Sequence, residues 1–325
     1  MQPHLMTVEK VSLLGQARRR IFGLPSEEAT FARRGFVAGE AQARLRLEQV
    51  GRTFLSGYHA ALEETEEGAL ARRLEGVPRD FRGFAFEGAA MGLALLDRLT
   101  PWRRRWQSFT EVFACRHVYM MHVGLGWALA RLRCRVEQHL KRLDPLLGWL
   151  AVDGYGFHEG YFKWPRYVEA RATPGRLSGY ALRAFDQGLG RSIWFVKGAR
   201  VSAVREALDA FEPARRADLW SGVGLACTYA GGAGRAEMEW LRNATAGHAP
   251  QLAQGAAFAA ETRRRAGNAN DHAEAACRVF CGRSLAGAAA VARGALEGLR
   301  GEGGLPAYEV WRRRIQSEFE CEVST

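Results

Sequence analysis

The chain of 325 residues carries 46 Lys or Arg against 35 Asp or Glu, a formal net charge of +11, with 47% hydrophobic and 25% charged residues. That composition belongs to a globular protein with a sizeable core and excludes a largely disordered chain. The basic excess invites a nucleic-acid reading, yet only four of the basic residues are lysines (Lys10, Lys141, Lys163, Lys197) and the arginines are scattered beside Glu and Asp instead of forming a stripe.

In chain order, residues 1–40 read as an N-terminal arm or capping helix. The apolar Val11 to Leu14 precedes Arg18-Arg19-Arg20, the reverse of a secretory signal. Residues 41–300 read as a helical repeat domain. Buried or half-buried helices are expected over 81–99, 118–132, 145–162, 179–196, 214–229 and 250–265, with shorter amphipathic stretches over 201–211, 235–246 and 270–281. Residues 301–325, with Arg312-Arg313-Arg314 between Trp311 and Ile315, read as a C-terminal capping helix. No strand alternation occurs, and no apolar run approaches the roughly 18 residues of a membrane span. Six cysteines without a CxxC pair give neither a disulfide framework nor a zinc site. The expectation is a reduced, cytoplasmic, all-α protein with no transmembrane segment and no bound metal or cofactor.

Each long helix carries glycine in its middle, where glycine costs about 1 kcal/mol relative to alanine. The glycines recur: Gly57, Gly88, Gly124, Gly154, Gly188, Gly222, Gly255 and Gly287 are separated by 31, 36, 30, 34, 34, 33 and 32 residues. The spacing is that of helix-pair repeats of roughly 34 residues. About eight units of one long and one short helix therefore form an α-solenoid, or an α/α toroid if the array closes. Glycine at matching depth lets the backbones of neighbouring helices approach closely.

The repeat also sorts the polar residues. Just before each first glycine stand Ser56, Glu87, Val123, Asp153, Gln187, Ser221, Gln254 and Ala286, and four positions later Ala60, Met91, Trp127, Phe157, Arg191, Leu225, Phe258 and Ala290. Positions four apart share a helix face. One face of the array thus presents Glu87, Asp153, Gln187, Arg191 and Gln254 among Trp127, Phe157 and Phe258, the make-up of a small-molecule site; the alternative is that these groups only knit the stack together. The densest stretch, Asp153 to Phe162, adds Tyr155, Tyr161, His158 and Glu159. Burial raises the pKa of Asp153 and makes it a proton donor, whereas pairing with Arg191 holds it ionised. His158 is an acid–base candidate on intrinsic pKa, or else a hydrogen-bonded core histidine. With Asp153 and His158 as the proton-handling pair, Glu87, Gln187 and Arg191 orient a ligand. Phosphate-loop, dinucleotide and nucleophile-elbow motifs are missing. The trio His272, Cys277 and Cys281 reads as core more readily than as a metal site.

The stretches Phe31 to Phe36, Arg82 to Met91, Asp153 to Tyr161, Ala184 to Ser192, Leu219 to Ala226 and Tyr308 to Arg312 resemble the UnbL-type family of actinobacterial enediyne biosynthetic clusters, a domain family of unknown function. The resemblance runs from about residue 10 to residue 320. It implies a place in processing the polyketide-derived enediyne core, beside the iterative polyketide synthase, and carries over no catalytic residue. The expected partner is a hydrophobic polyene or enediyne small molecule, folded or rearranged in the aromatic cavity. The alternative is a non-catalytic protein that shields or delivers such an intermediate, or docks other proteins of the same cluster. Nucleic-acid binding ranks last.

Overall fold

A computed structural model describes residues 12–320, and within them the chain is helical with no β-strand, as the all-α reading requires. Residues 1–11 of the expected arm and 321–325 of the expected terminal helix lie outside the described residues. The N-terminal part holds α1 (Leu13–Phe22), α2 (Phe31–Arg34), α3 (Ala41–Glu63), α4 (Glu67–Glu75), α5 (Arg82–Leu99), α6 (Arg105–Val112), α7 (Val118–Arg131) and α8 (Val136–Leu140). It continues through α9 (Trp149–Phe162), α10 (Tyr180–Val196), α11 (Val201–Asp209), α12 (Pro213–Ala230) and α13 (Arg235–Asn243). The last four are α14 (Ala249–Ala266), α15 (Asp271–Cys281), α16 (Leu285–Gly294) and α17 (Ala307–Glu320). Local chemistry sets several ends. The side-chain oxygens of Ser12, Thr30, Asn270 and Ser284 accept a first-turn N–H of α1, α2, α15 and α16. Gly267, at φ 64°, closes α14 in the left-handed region.

The glycine-bearing helices pack in sequence: α3 on α5, α5 on α7, α7 on α9, α9 on α10, α10 on α12, α12 on α14 and α14 on α16. Their glycines are the seam. Gly124 lies against the carbonyl oxygen of Glu87, Gly154 against that of Val123, Gly188 against Asp153, Gly222 against Gln187 and Gly255 against Ser221. A methyl group on any of them would come within 1.8–2.1 Å of that oxygen. Each acceptor is the residue preceding the first glycine of the previous helix. The second glycines face the other neighbour: Gly126, Gly156, Gly190 and Gly224 meet the carbonyls of Ala151, Phe185, Leu219 and Leu252. Backbone-to-backbone contact is the reason glycine persists where alanine is the better helix former.

The ends of the series depart from the expected register. Gly57 meets the carbonyl of Ala85, three residues before Gly88, and so stands where the second glycines stand. The first-glycine position of α3 is Leu55, 33 residues before Gly88, and Ser56 consequently faces solvent. Gly287 touches only its own turn, and Ala286 and Ala290 are exposed.

Helices that are not neighbours in the series also meet. Phe84 of α5 packs on Tyr229 of α12 with ring centroids 5.0 Å apart, and Tyr119 of α7 lies 6.4 Å from Trp311 of α17. The N-terminal segment crosses the ends of α9 and α10, with Arg34 Nη2 donating to the Phe162 carbonyl at 2.8 Å and the Val37 N–H to that of Val196. Helix α17 packs on α14 and α16. Among the described residues no single helix is long and apolar enough to cross a membrane.

Candidate functional site

The residues preceding the glycines do meet, and they form a hydrogen-bonded column through the interior. Gln187 Nε2 donates to Asp153 Oδ2 at 2.9 Å and to the Tyr308 hydroxyl at 3.0 Å. Ser221 Oγ lies 2.8 Å from Gln254 Oε1, to which it donates, and 3.4 Å from Gln187 Oε1. Arg312 Nε donates to Gln254 Oε1 at 3.3 Å. Asp153, Gln187, Ser221 and Gln254 are all fully buried. Four positions on from Gln187, Arg191 Nη1 donates to Asp153 Oδ1 at 2.5 Å, its guanidinium carbon lies 4.5 Å from the centre of the Phe157 ring, and Nη2 stands 3.9 Å from Glu87 Oε1. Asp153 is thus the carboxylate partner of Arg191, with both oxygens occupied.

Glu87 is the odd member. It is 1% exposed, and its Oε1 makes no hydrogen bond. Burial pushes its pKa up to about 7; Arg191 pulls down, Asp153 pushes up again, and the nearby indole N–H of Trp127 pulls down. Arg191 fails to hold Glu87 ionised because its charge is already matched by the closer Asp153. The two carboxyls therefore have different surroundings: one is paired with the guanidinium, the other is able to carry a proton near neutral pH.

Two narrow chambers flank this group. The first is lined by Glu87, Phe54, Phe84, Trp127, Phe157, Tyr161, Phe195 and others, and reaches the surface near the half-buried Glu28, Gly51 and Phe162. The second is lined by Arg191, Val123, Leu150, Leu225, Tyr229, Phe258 and Trp311, and reaches the surface near Tyr119 and Thr262. They offer about 40 and 30 Å³ to the centre of a water-sized sphere, room for about two or three waters each. The single open aromatic cavity expected along the array is therefore two slots, walled apart by Glu87 with Arg191 and by Phe84 with Tyr229.

The other expected residues fall into place around them. Trp127 packs against Phe54, Phe157 and Tyr161 in tilted and edge-to-face contacts, at centroid distances of 4.6, 4.9 and 5.8 Å. The Tyr161 hydroxyl donates to the Glu28 carbonyl at 3.3 Å. Phe258 packs on Trp311 at 4.4 Å. Tyr155 is half buried against Phe185 and lines neither chamber; burial raises its hydroxyl to about 12. His158 lines neither chamber. Its Nδ1 lies 3.2 Å from Glu159 Oε1, its ring packs on Trp127 and Phe162, and burial lowers its pKa. Asp153 and His158 thus have separate partners, and of the three titratable residues expected at the site only Glu87 lines a chamber. His272 Nε2 is engaged by the Cys227 carbonyl at 2.8 Å. Among the described residues no group of three His, Cys, Asp or Glu side chains could hold a metal ion.

Sequence reasoning missed what α17 brings inward. Arg312 is fully buried, with Asp218 at 2.7 Å and Glu309 at 3.3 Å. Arg183 bridges the same two acids, at 3.0 Å to Asp218 and 2.7 Å to Glu309. A signal was present: Tyr308 and Arg312 are four apart on one face, as are Arg183 and Gln187.

These features define an all-helical protein with a charge-paired interior and aromatic slots on either side of it. The chain belongs to the family described as protein of unknown function (DUF1702), whose profile matches residues 13–319. No curated protein and no solved structure is significantly similar to it.

Proposed function

We propose that this protein binds a long, linear, unsaturated apolar molecule, the polyene or enediyne-core intermediate implied by the resemblance to the UnbL-type family, and acts on it at Glu87. The observation that carries the reading is the wall between the slots: a buried carboxyl group with its pKa pushed up to about 7, left unmatched by the nearby guanidinium, in an otherwise apolar aromatic lining. Burying a hydrocarbon chain there contributes about 25 cal/mol per Å², and holding it bent supplies the orientational part of catalysis. Glu87 is the proton donor or acceptor, Arg191 and Asp153 set its charge state, and the aromatic rings shape the chain. On the same reading the glycine helices are tandem helix-pair units closed into a ring, which the contacts of α5 with α10 and α12 across the centre support.

A second reading, shielding or delivery without turnover, is favoured by the narrowness of the slots and by the saturation of Asp153. The test is to incubate the purified protein with a linear conjugated polyene hydrocarbon, follow its absorption, and compare Glu87→Gln. Chemistry at Glu87 predicts binding by both and altered product from the wild type alone. Binding without turnover by either leaves only shielding. Absence of polyene binding by the wild type overturns both.

A further inference from the structure

Helix α1 carries an apolar stripe that faces outward. Its buried Gly15 seats it on α3, where an added methyl group would come within 2.1 Å of the Glu63 carbonyl oxygen, and Arg19 pairs with the Glu63 carboxylate at 3.4 Å. On the opposite side Leu13, Ala17 and Ile21 follow one another at four-residue intervals, with Leu14 beside them, and all are exposed. Leu13 and Ile21 are 84% and 70% exposed, whereas a helix laid on a globular core turns its apolar stripe inward. Arginines flank the stripe, Arg20 on one edge and Arg18 on the other. Burial lowers the pKa of Arg18, and the nearby Arg105 and Arg103 lower it further, so the turn between α5 and α6 stands beside that edge. The turn carries Trp102, 75% exposed, together with the exposed Leu99, Arg98, Arg103 and Arg104. Its acid, Asp97, is engaged: it accepts the N–H groups of Arg105 and Trp106 and lies 3.5 Å from the Arg105 guanidinium. Among the described residues no acid pairs with Arg18, Arg20, Arg98, Arg103 or Arg104.

The occupant that complements this patch is apolar at depth and negatively charged at its face. A second copy seated on the same patch by a two-fold contact would set arginines against arginines. Single-stranded nucleic acid stacks on aromatic platforms, and the stripe of α1 is aliphatic. A lipid bilayer with acidic headgroups meets both demands: leucine, isoleucine and tryptophan enter the interface while arginines reach the phosphates. We infer that α1 and the Trp102 turn dock this protein on an acidic bilayer surface, with Leu13, Ile21 and Trp102 inserted at the headgroup boundary. This goes beyond the slot reading and does not depend on it. The chain runs from α1 into Ser26–Ala29, where Glu28 and Ala29 line the first slot, so the docking helix and the slot are built from consecutive segments.

The experiment sediments the full chain with vesicles of phosphatidylcholine alone and of phosphatidylcholine mixed equally with phosphatidylglycerol, at low and high salt. Binding is expected to the acidic vesicles only and to weaken with salt, since each arginine near an acidic surface strengthens partition about fivefold. Two double variants change only outward-facing side chains, and circular dichroism checks that both stay folded. Leu13→Ser with Ile21→Ser lowers binding about tenfold or more, and Arg103→Glu with Arg104→Glu removes at least two of the fivefold steps. Lipids brominated in the acyl chain quench the tryptophan fluorescence of the wild type, and Trp102→Phe abolishes that quenching. Failure to sediment with acidic vesicles, equal binding to neutral ones, or equal binding by the wild type and both double variants overturns the inference. A dimer that the Leu13–Ile21 variant splits, or salt-sensitive binding of single-stranded RNA, with no vesicle binding in either case, also overturns it. Polyene binding is measured without vesicles, so failure here is distinguishable from failure of the slot reading.

Discussion

At the scale of single residues the interior depends on how charge is shared. Asp153 and Glu87 lie near one guanidinium, and the nearer acid wins: 2.5 Å against 3.9 Å. Because burial raises Glu87 from 4.5 to about 7, the unfolded chain ionises it first as pH rises. Its contribution to stability is full below about pH 4.5 and is lost as pH rises to about 7, by on the order of 3 kcal/mol. Glu87→Gln removes that slope, which urea denaturation at pH 5 and pH 8 measures; an unchanged slope contradicts the raised pKa. Asp153→Asn leaves Arg191 buried with only the more distant Glu87, a loss of about 3–5 kcal/mol at neutral pH. Glu87, freed of a like charge and offered the guanidinium, then titrates lower, as NMR of the carboxyl carbon would report. An Asp153→Asn variant as stable as the wild type would show that the pair does not hold the centre together.

At the scale of helices, glycine has opposite values at different places on similar elements. At Gly188 an added methyl group would sit 1.8 Å from the Asp153 carbonyl oxygen, so α9 and α10 must separate, and Gly188→Ala costs about 1–3 kcal/mol or more. At Gly294, on the last turn of α16, nothing lies within 4 Å of that position, and Gly294→Ala gains about 0.5–1 kcal/mol. Thermal denaturation of the two variants should show shifts of opposite sign. The seam was legible in the sequence because close approach needs small residues at fixed depth, and a helix repeats its depth with the chain. The register of α3 was not legible: Gly57 satisfies the same spacing from either glycine position, and only its contact with Ala85 tells them apart.

For the molecule as a whole, α17 is more than a cap. Arg312 joins Tyr180 on α10, Asp218 on α12 and Gln254 on α14, so one guanidinium ties three helices of the series to the terminal one. Arg312→Met is expected to lower stability by about 3 kcal/mol. Arg313, mostly exposed and paired with the buried Glu309, which keeps Arg183 and Arg312 as partners, is worth no more than about 1 kcal/mol. Chemical denaturation of the two variants separates these outcomes, and equal losses would mean that α17 only covers the end of the array.

The sequence by itself determined the helices, the glycine seam and the face on which Glu87, Asp153, Gln187, Arg191 and Gln254 lie. All of these follow from the period of the helix and the size of side chains, which are local properties. Which acid keeps its proton was decided only in three dimensions: Glu87 and Arg191 are 104 positions apart in the chain yet neighbours in space, and burial acts on whichever carboxyl the guanidinium leaves unmatched. The division of one aromatic face into two slots, and the entry of Arg312 between helices, were likewise decided by tertiary packing. Each depends on distances between segments whose spacing no local pattern encodes.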